Sequence, residues 1–149
     1  MAYMLVAGLA LSAATAALGM RVDHHTQVDH HSGPVAVSYR GDVAISHKQV
    51  GTVAPAGKMS SLRCQWAAHM VVARQATAAG GASLSRTMDS APVLTGSRPG
   101  WCSTHQAAIT KEVARKTAAM QDHLQQMAQD DHQMLRAELD RLHGAQRAG

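Results

Sequence analysis

The stretch CSTHQAAITKEVARKTAAMQDHLQQMAQDDHQMLRAELDRLHG, residues 102–144, decides how the rest of the chain is read. Ile109, Val113, Met120, Leu124, Ala128, Leu135, Leu139 and Leu142 recur at helical spacing and share one face, interrupted by Thr117 and Asp131. Ser103 with Gln106 has the form of a capping box, which would satisfy amides that the first turn leaves unpaired. Glu112 precedes Lys116 by one turn, Arg141 and His143 sit at the negative end of the helix dipole, and Gly144 offers a C-cap. The pattern predicts one long helix over 103–143.

Length then constrains the architecture. About forty residues at 1.5 Å each make a rod of roughly 60 Å. A compact domain of about 130 residues is only about 35–40 Å across. A straight helix would overhang its own domain, so it either breaks near Ala128–Asp131 or lays Leu135, Leu139 and Leu142 on another chain. A homo-oligomer joined through the C-terminal helix is the favoured expectation.

Upstream the texture is β. Leu62, Cys64, Trp66, Ala68, Met70 and Val72 alternate with Arg63, Gln65 and His69, the mark of a strand with one buried face. Val35, Val37 and Tyr39 alternate likewise, and Val43 and Ile45 resume the pattern after Arg40-Gly41-Asp42, which reads as a hairpin turn. Ala79-Gly80-Gly81 supplies another turn before Leu84, Arg86 and Met88; Val93-Leu94-Thr95 forms a last short strand, and Arg98-Pro99-Gly100 ends the sheet. Sequential strands with short connections give an antiparallel meander of three to five strands over 34–97, covered on one face by the helix. The fold class is α+β, a single domain over 34–149.

Cys64 lies on the inward face of the clearest strand and Cys102 just before the helix, so one disulfide between them is expected. A loop of that length would contribute about 4 kcal/mol in the chain-entropy model. Such a staple suits a chain in which much of the 46% hydrophobic content is alanine and none is Phe.

The first 19 residues carry no charge, and Ala14-Thr15-Ala16 and Ala17-Leu18-Gly19 offer small residues for cleavage. They read as a secretory signal peptide, the alternative being an uncleaved anchor that would hold the protein to a membrane. The predicted location is periplasmic or secreted. Residues 20–33 contain a tandem repeat, Val22-Asp23-His24-His25-Thr26-Gln27 followed by Val28-Asp29-His30-His31-Ser32-Gly33, and read as a disordered His-rich spacer.

Two candidate metal sites follow from composition. His24, His25, His30 and His31 supply imidazoles suited to Zn or Cu. On the helix, Met120, His123, Met127 and Met134 fall near one side and make a soft set suited to Cu(I) or Ag(I). The net charge of +4 comes from dispersed residues without the basic clusters and aromatic platforms of nucleic-acid binding. Glu112 and Glu138 are the only glutamates, and no phosphate loop or nucleophile elbow is present. The functional expectation is a non-catalytic structural or interaction protein, the alternative a periplasmic transition-metal binder.

Overall fold

A computed structural model describes residues 19–148, so the expected signal segment lies, apart from its last residue, outside the described part. The architecture is α+β. Five strands, β1 (Met20–His30), β2 (Gly33–Val50), β3 (Arg63–Thr77), β4 (Ser83–Asp89) and β5 (Leu94–Pro99), form one antiparallel sheet. Two helices follow, α1 (Cys102–Ala114) and α2 (Thr117–Arg147). The order across the sheet is β1-β2-β3-β4, and β5 continues along the same edge of β3 that β4 occupies. Between β4 and β5 the chain stays stitched to β3, with Ser90 N–H donating to the Met70 carbonyl and Val93 N–H to that of Ala68.

The sheet begins earlier than its hydrophobic texture suggests. Residues 20–30, expected as disordered spacer, pair with β2 along their whole length, from Met20↔Val43 to His30↔Gly33. The reason lies in the repeat itself. A strand alternates faces with period two, so a six-residue repeat returns every residue to the same face. Val22 and Val28 are both buried, while Asp23, His25 and Asp29 are exposed on the other side.

Arg40-Gly41-Asp42 is not a turn either. It lies inside the 18-residue β2, where Gly41 faces the core. A Cβ at Gly41 would come within 2.6 Å of Met70 Sδ, so the glycine is kept for close packing. Arg40 and Asp42 point outward to Asp23 and Arg21.

Strand length resolves the overhanging helix. At about 3.3 Å per residue β2 extends roughly 60 Å, three times the common strand length. The sheet is long enough to carry the helices along it. The helical layer still breaks, at Arg115–Lys116 and not at Ala128–Asp131: Lys116 N–H turns back to the Val113 carbonyl and the Thr117 hydroxyl takes that of Ala114. Thr117, a gap in the apolar stripe, marks the bend. Leu135 and Leu139 are buried against the chain's own sheet, and Leu142 is half-buried. The apolar residues that argued for self-association through this helix are thus largely used within the chain.

The helix ends also differ from expectation. α1 starts at Cys102 without a side-chain cap from Ser103. Gln49, near the end of β2, takes that role, its Oε1 accepting from Cys102 N–H at 2.7 Å while its Nε2 donates to the carbonyls of Arg63 and Gly100. α2 runs through Gly144 to Arg147. The Cys64–Cys102 disulfide is formed, tying the start of β3 to the start of α1 across 38 residues.

Under α2 the core holds a charged centre. Arg74 of β3 and Asp131 of α2 are both buried, with Nη1 to Oδ2 at 2.8 Å and side-chain exposures of 0% and 1%. Arg74 also bonds Glu138, and Asp131 further accepts from Arg86 at 3.2 Å and from Tyr39 Oη at 3.1 Å. Burial raises the Tyr39 phenol above its ordinary range, and Asp131 adds to this. For Arg74 burial opposes the charge, but the bonds to Asp131 and Glu138 prevail and the guanidinium stays protonated.

Asp131→Asn leaves that cation without its main counter-charge and is expected to lower unfolding stability by about 3 kcal/mol. Arg74→Met combined with Asp131→Leu is expected to recover most of the loss in a urea titration. Equal losses in both variants would show that shape, not charge balance, holds the centre.

Candidate functional site

The site lies where the β1–β2 hairpin meets the C-terminal third of α2. His30 is the last residue of β1, and His31-Ser32 make the turn. Gly33 closes it at φ +123°, a conformation that side chains disfavour, and a Cβ there would press on Ala79. The turn holds the two imidazoles together, ring centroids 3.9 Å apart.

His30 faces α2 with only 5% of its side chain exposed. One ring nitrogen, Nδ1, lies 2.6 Å from Ser32 Oγ, and the other, Nε2, lies 3.0 Å from Asp140 Oδ1. His31 Nδ1 approaches the same carboxylate oxygen at 3.7 Å. His143, one turn beyond Asp140, sets its ring edge-on to His31 with centroids 5.0 Å apart. The donor atoms of His30, His31 and Asp140 all lie within 4.8 Å of one another.

The electrostatics follow from this packing. The hydrogen bond with His30 holds the Asp140 carboxyl below the usual carboxylate range, aided by the charges of His30, His31 and His143. His143 is lowered by desolvation first, then by Arg147, His31 and His30, with Asp140 opposing.

The four histidines expected as one set are divided. Along a strand six residues span about 20 Å, so His24 and His25 lie far from His30 and His31. His24 points inward toward Tyr39, with ring centroids 6.2 Å apart, whereas His25 is exposed on the opposite face. In place of His24 and His25 the structure brings Asp140 and His143. Their Asp-x-x-His spacing on a helix was the available signal, since residues three apart share a flank; only a fold that places the repeat beside that flank gives it meaning.

The helix set is divided as well. Met120 is fully buried in the core. Met127 and Met134 line a groove beside β4, where Met88 joins them. His123 is half-buried, and its Nε2 has no hydrogen-bond partner; the same holds for the buried Nε2 atoms of His47 and His132.

No family model, curated protein or solved structure matches this chain. No helix among the described residues is long and apolar enough to cross a membrane.

Both shifted groups of the junction have folded-state pKa values below their ordinary ones. The unfolded chain therefore takes up protons first as pH falls. The stability they contribute is fully present above about 6.5 for His143 and above 3.8 for Asp140, and it is lost as pH drops through each folded value. By NMR titration His143 is expected to protonate below its ordinary range, and Arg147→Ala should move the midpoint upward. An Arg147→Ala midpoint equal to wild type would remove that charge as a cause.

Proposed function

We propose that this chain is a non-catalytic metal-binding protein of an oxidising compartment, periplasmic or secreted. It takes a borderline divalent cation such as Zn, Cu(II) or Ni(II) at His30, His31 and Asp140, with His143 as the adjoining donor. The observation that carries this reading is the convergence of His30 Nε2 and His31 Nδ1 on one oxygen of Asp140, at 3.0 and 3.7 Å. Around a tetrahedral ion with bonds near 2.0–2.1 Å the donors stand roughly 3.3–3.4 Å apart, between those two distances. Imidazole and carboxylate together suit this class of ion.

Ser32 supports the reading from one shell out. Ser32 holds the His30 ring through Nδ1, its N–H donating to that nitrogen at 3.3 Å and its Oγ lying 2.6 Å away, so that Nε2 is aimed at Asp140. The Cys64–Cys102 disulfide supports an oxidising compartment. An ion at this junction would tie the hairpin to the end of α2. At a hundred times its dissociation constant it would add about 2.7 kcal/mol to the folded state.

The test is Zn(II) affinity by competition with a chromophoric chelator, using the full chain with its disulfide intact. His30→Ala with Asp140→Ala is expected to abolish the site, and Ser32→Ala to weaken it by about 10–100-fold. His24→Ala with His25→Ala is expected to leave it unchanged. Affinity should fall below about pH 6.5, where imidazoles protonate. If the His24/His25 pair costs as much as the His30/Asp140 pair, zinc binds a generic histidine tract and the proposal fails.

A further inference from the structure

A second and chemically different site lies on the other flank of α2. We propose that Met88, Met127 and Met134 bind a soft monovalent cation, Cu(I) or Ag(I), in the groove between β4 and α2. This rests on none of the residues that carry the divalent site.

The groove encloses about 320 Å³ and is lined by Met88, Met127 and Met134 with Asp89, Asp130, Asp131 and Arg86. Three thioethers from two separate elements line it. Met88 comes from the inward face of β4. Met127 and Met134 sit two turns apart on one flank of α2. Met134 keeps 43% of its surface in water, one of few large apolar side chains so exposed among the described residues. Burial therefore does not explain its presence at the rim.

The electrostatics favour a cation. Of the groove's three carboxylates, Asp131 is already paired with Arg74 and Arg86, at 2.8 and 3.2 Å. Asp89 and Asp130 remain to draw positive charge to the mouth. Thioether sulfur is polarizable and neutral, so it selects soft ions over Zn or Ca. His123, one turn before Met127 on the same flank, keeps a buried Nε2 without a partner, a further nitrogen donor on this side of the helix.

Thioethers do not protonate, which separates the two sites experimentally. Ag(I) added to the full oxidised chain at pH 5, in chloride-free buffer, is expected to shift the ε-methyl NMR signals of Met88, Met127 and Met134. Those of core Met70 and Met120 should stay in place. Leucine conserves the volume of methionine, so Met88→Leu, Met127→Leu, Met134→Leu is expected to keep the fold while losing Ag(I) binding. His30→Ala with His31→Ala is expected to leave the methyl shifts intact. The proposal is overturned if wild type shows no such shifts, or if the folded triple variant binds Ag(I) as wild type does. Loss of Zn(II) binding in the His30/His31 variant bears only on the divalent site.

Discussion

A guanidinium with no access to solvent sets the terms for this fold. Arg74 stands in an inward cross-strand row with His24, Tyr39 and Arg86, paired in sequence across β1, β2, β3 and β4. Two arginines under a helix would be intolerable without opposite charge. Asp131 and Glu138 provide it from α2, and Tyr39 donates the hydroxyl that completes Asp131. Such a cluster adds little net stability compared with apolar packing, but it allows few alternatives. A slip of α2 by one turn would bury Arg74 without its partner. The helix is thereby fixed along the sheet as well as against it.

That pin places the junction of His30, His31 and Asp140. Asp140 lies nine residues beyond Asp131, about 13 Å along the helix. His30 lies six residues beyond His24, about 20 Å along the strand. The two paths leave the same polar row and meet at the hairpin. The opposite end of the helical layer is held covalently, Cys64 to Cys102, and capped by Gln49. Covalent bond, buried ion cluster and a junction of imidazoles thus hold successive regions of the helical layer with decreasing strength. Local opening is favoured where the last of these acts, with few buried apolar contacts beyond Leu139 to resist it.

Much of this was legible in the residues. The alternation from Leu62 to Val72 gives β3, and the helical stripe gives the helical layer with the correct buried face, though as one helix and not two. The cysteine spacing gave the disulfide. Other features rest on properties that composition and turn propensity do not carry. By composition the histidine repeat reads as spacer, whereas its period of six, a multiple of two, is the structural signal. Arg40-Gly41-Asp42 has turn propensity, yet its glycine lies under Met70 and serves packing. Asp131 interrupts the helix stripe, and Arg74 stands in phase with the inward face of β3. Two lone charges of opposite sign, each in phase with its own apolar face, were evidence that those faces meet. The bend at Thr117 was visible only as a gap in the stripe.

The distribution of ligand-type side chains follows from how a single helix covers a sheet. The centre of its contact face is dry and takes Leu124, Ala128 and Leu135. Its flanks are half-buried, and there side chains with an apolar body and a polar or polarizable end pack well. Packing alone would let histidine and methionine mix on either side. Here His30, His31, Asp140 and His143 gather toward β1, while Met88, Met127 and Met134 gather toward β4 with His123 on the same flank. Half-burial accounts for the presence of these residue types.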